Sequence, residues 1–449
     1  MEALTSLAAF IVAISVLVAI HEFGHYLVGR LCGMKVLRYS IGFGKPLVTK
    51  VAGADQTEYC ISAIPLGGYV KFLDEREGPV SAADRGRAFT HRPIPARILV
   101  LLAGPAFNFL FAILAYWALF INGVPTVRPA VGIVEPGSYA AEAGLQYGDQ
   151  IRTIGDRDAV DWEAVLVTML EDLVGSGEVR LGLEGEDGWQ RSAVLSVGSD
   201  RARLSEPGML FDSLGFQPWQ PPARIGEVAD DGAAAAAGIR AGDRVTAIDG
   251  QAVLTFADLQ TVVSARAGET VSVDFVRDGI PQSVVLTLGS REVDGAQIGW
   301  LGVGIENPGD SYWYMRKYGA LTAVVEASAQ TWASTAFTVK MLGRMITGDV
   351  SIKNISGPIN IAQYAGDSAQ AGINSFLRFL ALVSISLGVL NLLPIPMLDG
   401  GQIVFQTAEW LKGSPLSERS QLVGQQVGIL ALLLLMTFAF YNDISRILQ

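Results

Sequence analysis

The feature that most constrains this chain is the pentapeptide HEFGH, residues 21–25, which ends an apolar run that begins near residue 4. A run of this length with almost no charge predicts a membrane-spanning helix. Two histidines four residues apart lie on one face of a helix and can bind one Zn²⁺, and the glutamate between them is the usual base of a metalloprotease. Because ionisable side chains are costly inside a bilayer, His21, Glu22 and His25 are predicted to form a functional centre.

Four segments are long and apolar enough to cross a bilayer, and 50% of the residues are hydrophobic. They lie at about residues 4–27, 98–121, 376–393 and 423–441. The first lacks the basic flank and the cleavage site of a signal peptide, so we expect it to remain as a membrane helix. Another apolar stretch, 322–346, contains Glu326, Lys340 and Arg344 and is interpreted as an amphipathic helix on the outer face.

Charge is distributed unevenly along the chain. Residues 126–310 contain 29 acids, 13 arginines and no lysine, whereas residues 26–97 contain 11 basic residues and 6 acids. The positive-inside rule therefore places 26–97 in the cytoplasm and 126–310 outside, with both termini external. A net charge of −11 argues against nucleic-acid binding. The two cysteines, Cys32 and Cys60, lie in the inner segment and are expected to be free thiols.

The inner segment contains a β-rich stretch. Between residues 35 and 73, short β-type runs are separated by Gly, Pro and a GADQ turn, which predicts a small cytoplasmic sheet at the membrane. Gly42, Phe43 and Gly44 are apolar or flexible and close to the membrane face. A strand edge at these residues is expected to pair with an extended substrate.

The external block contains an internal repeat. VEPGSYAAEAGLQYGDQIRTIGDR (134–157) aligns with VADDGAAAAAGIRAGDRVTAIDGQ (228–251) at an offset of 94 residues. An Ala-rich helix followed by A-G-[LI]-x-x-G-D-x-[IV], a strand and a turn is specific for PDZ domains. Each unit has the length of one such domain, so the repeat predicts a tandem PDZ pair.

Catalytic zinc uses three protein ligands and one open position, so a third polar residue is needed within the membrane. The best candidate is Asp399 in the segment NLLPIPMLDGG, residues 391–401. Pro394 and Pro396 break the third membrane helix, and a broken helix is tolerated at this depth only against protein or a cavity. The two glycines that follow allow close approach. We therefore predict that this stretch delivers the Asp399 carboxylate to the histidines.

These motifs together resemble the site-2 protease family of intramembrane zinc metalloproteases. The resemblance rests on H-E-x-x-H in the first helix, N-x-x-P-x-x-x-L-D-G in a later one and PDZ domains between them, and it covers essentially the whole chain. It implies that His21, His25 and Asp399 are the ligands of one Zn²⁺ per chain and that Glu22 is the general base. It also implies that Asn391 contacts the substrate backbone.

The resemblance also implies a biological setting. The substrates would be single-span membrane proteins of the anti-sigma factor type, and remnant signal peptides as well, cleaved in regulated intramembrane proteolysis during envelope stress. Cleavage would follow a first cut by a periplasmic site-1 protease, and the enzyme would reside in the bacterial inner membrane. Its PDZ domains would be periplasmic and its active site near the cytoplasmic side.

Two roles are open for the PDZ pair and two for Asn108. The PDZ domains either bind newly exposed C-termini or act as a size filter that excludes bulky ectodomains, and the resemblance favours the filter. Asn108 either holds the substrate backbone or makes an interhelical hydrogen bond. For peptide binding, the candidate carboxylate-binding turns are formed by Leu214, Gly215 and Phe216 and by Leu301, Gly302 and Val303.

Two other classes of protein compete with a protease. A non-catalytic scaffold would use the PDZ pair to recruit partners and would hold zinc only as a structural ion, but it would have no need of Glu22. A metal transporter would use intramembrane His and Asp to line an ion path, but it would need several such sites across the bilayer. The sequence contains one visible cluster.

The expected architecture is a polytopic α-helical membrane protein with four transmembrane helices, a small membrane-associated cytoplasmic β segment and a tandem pair of periplasmic PDZ domains. The expected boundaries are 1–30 for the first membrane helix, 31–95 for the β-rich segment, 96–122 for the second membrane helix, 126–219 and 220–310 for the PDZ domains, 311–375 for an amphipathic connecting region, 376–402 for the third membrane helix and 421–443 for the fourth.

Overall fold

The computed structural model describes residues 2–76, 78–185, 188–198, 204, 206, 209–293, 296–306, 312–348, 350–351, 353 and 355–447. It consists of two units. The helical unit comprises Met1–Val124 and Met315–Gln449, and the PDZ unit comprises Pro125–Tyr314.

The longest helices belong to the helical unit, and the helices of the PDZ unit are shorter and lie between strands. The described helices are α1 (Glu2–Leu31), α2 (Ile94–Asn122), α3 (Tyr139–Glu142), α4 (Trp162–Gly175), α5 (Met209–Leu214), α6 (Ala233–Ala236), α7 (Phe256–Ser264), α8 (Ala320–Thr347), α9 (Pro358–Gln370), α10 (Ile373–Asn391), α11 (Asp399–Lys412) and α12 (Glu418–Ile447).

The first two strands of the chain belong to the helical unit, and most of the later ones belong to the PDZ unit. The described strands are β1 (Val36–Ala52), β2 (Thr57–Phe72), β3 (Val124–Val127), β4 (Val131–Val134), β5 (Gln150–Ile154), β6 (Arg157–Asp158), β7 (Glu178–Glu184), β8 (Gln190–Ser196), β9 (Phe216–Pro218), β10 (Ile225–Val228), β11 (Arg244–Ile248), β12 (Gln251–Ala252), β13 (Thr270–Arg277), β14 (Ile280–Thr287), β15 (Gly289–Val293), β16 (Ala296–Trp300), β17 (Val303–Ile305) and β18 (Trp313–Arg316).

Four helices in the described part of the chain are long and apolar enough to cross a membrane, as expected. By length and composition the candidate spans are Leu4–Leu31, Ile94–Asn122, Ile373–Asn391 and Arg419–Ser445. The helix α8 covers the stretch interpreted as amphipathic. It packs on α2 through Ala323, Ala327 and Thr331 and carries the charged side chains on its remaining surface.

Small residues bring the membrane helices of the helical unit together. A Cβ atom on Gly24 of α1 would collide with the Ala103 carbonyl of α2, so the two backbones touch next to the HEFGH segment. Farther along, α2 packs on α10 through alanines and larger side chains such as Tyr116 and Ile385. Where apolar surface is already surrounded by lipid, close backbone packing of this kind stabilises helix contacts.

The strands β1 and β2 form the predicted sheet beside α1. Residues 46–52 pair with 57–62, residues 57–61 also lie beside 38–41, and residues 38–41 pair with 68–71 on their other side. The Tyr26 hydroxyl of α1 lies 2.7 Å from that of Tyr59, and the Tyr39 hydroxyl donates to the Ala19 carbonyl at 2.8 Å. These contacts fix the sheet against the half of α1 that carries the histidines.

The PDZ unit contains two domains with matching topology. Each has a four-stranded sheet, in the order β6-β5-β7-β8 in the first and β12-β11-β13-β14 in the second, and each has a two-stranded sheet that closes the domain, β4-β9 or β10-β17. Each also has its own apolar core, one around Met169 and Phe216 and one around Ile248 and Val273. The expected fold class, four membrane helices with a β segment and a PDZ pair, is therefore confirmed.

The aspartate of each repeated G-D motif forms an ion pair within its own PDZ domain. Asp149 pairs with Arg191, and Asp243 pairs with Arg277 through Nη2 at 2.6 Å and Nε at 2.7 Å. Burial tends to raise the pKa of Asp243, but the hydrogen bonds from Arg277 outweigh this effect and hold its pKa below the usual range. The repeated motif thus contributes one Asp–Arg ion pair to each PDZ domain.

Candidate metal centre

Three potential metal ligands meet at one point in the helical unit. The Nε2 atoms of His21 and His25 are 3.2 Å apart, and the Asp399 carboxylate lies 3.2 Å from the first and 3.5 Å from the second. The three ligand atoms all lie within 4.8 Å of one another. In the part of the chain that the structure describes, this is the one such group of His, Cys, Asp or Glu.

The His25 ring is oriented by a backbone group of α2. The Val100 carbonyl lies 2.8 Å from His25 Nδ1 and can only accept a hydrogen bond, so Nδ1 carries the proton. The lone pair of His25 is then on Nε2, which faces His21 and Asp399. Metal-bound histidines commonly make such a hydrogen bond with the other ring nitrogen, because it fixes both tautomer and orientation.

Asn108 can orient the His21 ring in the same way. Its amide Nδ2 lies 3.2 Å from His21 Nδ1, its side chain is fully buried, and its Oδ1 has no hydrogen-bond partner. A half-turn of the amide exchanges its two ends, and Oδ1 then accepts from Nδ1–H, which leaves the His21 Nε2 lone pair for a metal. The Asn108 backbone is held as well, since the Ser384 hydroxyl donates to its carbonyl at 2.9 Å. A direct contact of Asn108 with substrate stays a prediction.

Asp399 reaches the histidines because the third membrane helix stops short. The helix α10 ends at Asn391, residues 392–398 turn back, and α11 begins at Asp399. A Cβ atom on Gly400 would collide with the Leu392 carbonyl, and one on Gly401 with the Ile395 carbonyl. The two glycines are therefore required for the turn to fold against the start of α11 and present the carboxylate.

The residues present fit a catalytic zinc ion. Oδ2 of Asp399 is buried and has no partner with hydrogen-bond geometry, although burying an unpaired carboxylate oxygen is costly. A cation at the meeting point would satisfy that oxygen and both imidazole lone pairs. Two histidines and one carboxylate form one of the donor sets of catalytic zinc, which leaves a fourth position open.

Glu22 lies beside the three ligands but outside the set. It is 9% exposed, and Val70 lines the cavity beside it. A Cβ atom on Gly68 would lie 3.1 Å from Glu22 Cγ, so β2 passes directly over the glutamate. Glu22, the three ligands and Asn391 all line one cavity of about 710 Å³.

The structure adds residues of β2 that the sequence did not single out as site residues. Residues 67–72 line the cavity and form an outer strand of the sheet. Phe43 also reaches the cavity and stacks on Tyr69, but Gly42 lies inside the sheet, where a Cβ atom would be 2.9 Å from the Ser62 and Ile64 carbonyls. The alternation of polar and apolar side chains in GGYVKF is the sequence signal that could have indicated this strand. A role in substrate binding for residues 42–44 stays a prediction.

The two candidate PDZ turns occupy equivalent places. Gly215 and Gly302 both have positive φ, 74° and 79°. A Cβ atom on Gly215 would collide with Ser138, and one on Gly302 with Gly232, so both turns pack on the start of a short helix. Leu214 and Leu301 are buried in the two cores, and Phe216 and Val303 open the closing strands β9 and β17. Peptide binding at these turns stays a prediction.

A buried His₂Asp donor set with an adjacent glutamate, built between membrane-length helices, defines a membrane-embedded metallopeptidase. The chain belongs to peptidase family M50, whose model matches residues 9–435. The predicted enzyme class, a zinc metalloendopeptidase, is confirmed by this membership. The metal ligands and the single Zn²⁺ per chain stay predictions that the geometry supports.

The similarity to individual relatives extends over the full length. The chain is 41% identical over 449 residues to the regulator of sigma-E protease RseP of Escherichia coli strain K12, with 99% of each chain covered. It is 41% identical over 452 residues to the protein of that name in Salmonella typhimurium, again with 99% covered, and 40% identical over 456 residues to the protease RseP of Yersinia pestis, with 100% covered. The four helices, the IGFG and GGYVK segments and the PDZ pair resemble those of RseP, and the full-length identity confirms this resemblance.

Two solved structures match parts of the chain. The PDZ domain of an SdrC-like protein from Listeria monocytogenes is 22% identical and covers 19% of this chain and 88% of its own, with a TM-score of 0.17. The solution structure of GtR34C from Geobacillus thermodenitrificans is 32% identical and covers 17% of this chain and 90% of its own, with a TM-score of 0.16.

Proposed function

We propose that this peptidase cuts the transmembrane segment of single-span membrane proteins. The observation that carries the proposal is the position of the cavity. It contains His21, His25, Asp399 and Glu22, it is built from membrane-length helices, and one wall is an outer strand of a sheet. A substrate that reaches this cavity from the bilayer is itself a membrane helix.

The chemistry is divided among a few side chains. Zinc held by the three ligands would supply the Lewis acidity that activates water and polarises a carbonyl. Glu22 accepts the proton of the attacking water and returns it to the nitrogen of the cleaved peptide bond. Its side chain is buried beside β2, which limits its movement before the substrate arrives. Asn391 lies at the end of α10 in the same cavity, which supports a role in holding the substrate backbone.

The sheet accounts for how a helical substrate is opened. A peptide bond inside a helix is shielded by hydrogen bonds from residue i to i−4, so the substrate must unwind near the cut. Residues 67–72 lie next to Glu22 and can pair with an extended segment as an added strand. The hydrogen bonds lost on unwinding are then replaced along β2, which matters most where water is scarce.

This model makes the helix propensity of the substrate a determinant of its cleavage. Replacing two Gly residues beside the cut by Ala favours the helix by about 1 kcal/mol each, so cleavage is expected to fall by about tenfold or more. The measurement is the initial cleavage rate of the substrate series in reconstituted vesicles. The matched control carries the same replacements at the far end of the substrate helix. Equal rates across the series would contradict unwinding at β2.

The names of the relatives suggest which biological substrates to propose. Proteins named regulators of sigma-E protease are 41% identical to this chain, so we infer an anti-sigma factor as substrate, with remnant signal peptides as a second class. The proposed location is the bacterial inner membrane, with residues 31–95 in the cytoplasm and residues 126–310 in the periplasm. The excess of acids over bases in 126–310 supports this orientation.

For the PDZ pair we favour the size filter, and the first domain supplies the reason. Its Gly215 N–H already donates to the Phe211 carbonyl at 2.8 Å and is not free for a carboxylate. The Phe211 ring packs on Trp162 and Phe216, with ring centres 5.4 and 5.2 Å apart. The Gly215 N–H and the start of α4 at Trp162 are thus in contact with Phe211 of the domain's own α5.

Deletion of residues 126–310 is expected to allow cleavage of a substrate that still carries its ectodomain. The full-length chain is expected to cut only the version already shortened by a first protease, because the filter excludes a folded domain. The assay compares trimmed and untrimmed substrates in cells that lack the first protease. A deletion that also carries Glu22→Gln controls for other proteases. If the deletion abolished cutting of the trimmed substrate as well, the domains would be recruiting substrate and the filter would be wrong.

A further inference from the structure

A largely buried ion pair joins the start of α2 to the end of α11. Nη1 of Arg97 lies 3.5 Å from Oε2 of Glu409, and the two side chains are 14% and 11% exposed. The other carboxylate oxygen of Glu409 accepts a hydrogen bond from the Leu416 N–H at 3.2 Å. Neither Arg97 nor Glu409 is among the three proposed metal ligands, and neither lines their cavity. The pair therefore lies outside the metal centre itself.

Helix stability does not explain this pair. Arg97 is the fourth residue of α2, and Glu409 is the fourth residue from the end of α11. A cation in the first turn and an anion in the last turn each lie at the end of the helix whose partial charge repels them. Removing both charges from water is a further cost, which their mutual attraction offsets only when the geometry is excellent. The best-attested use of such a buried pair is to fix the register of two packed elements.

The face of α2 that carries Arg97 also holds both histidine rings. Arg97, Val100, Gly104 and Asn108 are spaced by three, four and four residues, so they form one stripe along the helix. The Val100 carbonyl orients one ring, Asn108 contacts the other, and a Cβ atom on Gly104 would collide with both. Arg97 extends this stripe by one turn towards the start of α2. The stripe thus contacts the histidines at one end and α11 at the other.

The helix α11 begins with the third proposed ligand. Asp399, Gln402, Gln406 and Glu409 are spaced by three, four and three residues, so they share one face of α11, and Gln406 is only 4% exposed. This helix packs on α2. Because Arg97 precedes the histidine contacts of α2 whereas Glu409 follows Asp399, the two helices run in opposite directions. The ion pair is therefore at one end of α11 and the ligand at the other, about 15 Å away along the axis.

We propose that Arg97 and Glu409 are positioning residues for the metal centre: their ion pair sets the register of α11 on α2 and thereby brings Asp399 to the two histidines. A slip of one helical turn would move the carboxylate by about 5 Å. That is more than the 3.2 and 3.5 Å that separate it from the histidine nitrogens. The inference goes beyond the proposed function, because it holds for any substrate. It rests on Asp399 as a metal ligand.

The first test measures the zinc affinity of the full-length chain by competition with a chelator. For Arg97→Gln and for Glu409→Gln we expect the affinity to fall about tenfold, the lower end of the range for partners of metal ligands. Glu409→Gln keeps an acceptor for the Leu416 N–H, so it removes the charge alone. As a matched control, Arg85→Gln removes an exposed ion pair with Glu75 and should leave the affinity within about twofold of wild type. Unchanged affinity in either Arg97→Gln or Glu409→Gln would overturn the proposal.

A second test separates positioning from a general loss of stability. In an Asp399→Asn background, Glu409→Gln should change zinc affinity by less than about twofold, because the carboxylate that it would misplace is already absent. A further tenfold loss in that background would show that the substitution only loosens the fold, and the proposal would be wrong. An Asp399→Asn chain with wild-type affinity would overturn the ligand assignment and this inference with it. Failure to cut membrane substrates would affect the proposed function alone.

A charge-reversed chain tests whether the two residues act as a pair. In Arg97→Glu/Glu409→Arg the ion pair can form again, and each charge now lies at the end of its helix that favours it. We expect zinc affinity to return to within about threefold of wild type. The double variant also covers the case in which a single variant leaves one buried charge unpaired and does not fold. A charge-reversed chain that bound zinc no better than the single variants would overturn the proposal.

Discussion

Glu22→Gln is expected to lower the cleavage rate by about 10²–10⁴-fold while the bound metal is retained. Glu22 is not one of the three converging ligands, so the metal should stay. Glutamine has the same shape as glutamate, so the packing around residue 22 should not change. What it cannot do is take a proton from water. The measurement pairs the initial rate on a membrane substrate with zinc content per chain.

Asp399→Asn is the informative comparison for that variant. It replaces a charged ligand by a neutral one, so zinc content and activity should fall together, whereas Glu22→Gln separates them. A Glu22→Gln enzyme that kept a tenth or more of the wild-type rate would contradict general-base catalysis by this residue. It would also revive the interpretation of a scaffold in which zinc is only structural.

Gly104→Ala is expected to weaken metal binding by about 10–100-fold or more through a steric clash, although Gly104 offers no ligand atom. A Cβ atom at this position of α2 would collide with His25 Nε2 and lie 2.8 Å from His21 Cε1. The rings have little freedom to move away, because Val100 and Asn108 hold their other nitrogens. Disturbing the partners of metal ligands costs about 10–100-fold in affinity, and displacing both rings should cost at least that. The readout is zinc affinity measured by competition with a chelator.

Gly343→Ala on α8 is the matched control for this substitution. Gly343 is also a helical glycine, and a Cβ atom there meets no atom within 4 Å. It should leave zinc affinity and cleavage unchanged, since alanine also favours the helix. A Gly104→Ala chain with wild-type zinc affinity would show that α1 and α2 can separate locally, contrary to the close packing at Gly24 and Ala103.

Much of the fold could be predicted from the sequence because its signals are local. The four apolar runs, the histidine spacing on one helical face and the Gly-Asp repeat each depend on residues near one another in the chain. Asp399 could also be predicted as a site residue, because two prolines and two glycines around a carboxylate at membrane depth are hard to explain by structural needs alone. The structure brings this residue to the two histidines.

The remaining parts of the site depend on contacts between distant segments. Neither Val100 nor Asn108 has a sequence pattern that marks it as a partner of a histidine ring. The outer position of residues 67–72 depends on how β1 and β2 fold over each other, since the same alternation is compatible with an inner strand. The Asp443 carboxylate of α12 accepts hydrogen bonds from the N–H groups of Gly357 and Ile359 at the start of α9, and this contact depends on how α12 packs.

The origin of the metal ligands at opposite ends of the chain has a consequence for biosynthesis. A nascent chain that has inserted its first two helices already carries both histidines and Glu22, but the ribosome has not yet made Asp399. Such an intermediate lacks the carboxylate ligand and the turn that presents it. With Asp399 as the proposed third ligand, we expect the chain to gain proteolytic activity only after both PDZ domains and the third membrane helix have been synthesised. A fragment that terminates before that point should be inert toward its neighbours in the membrane.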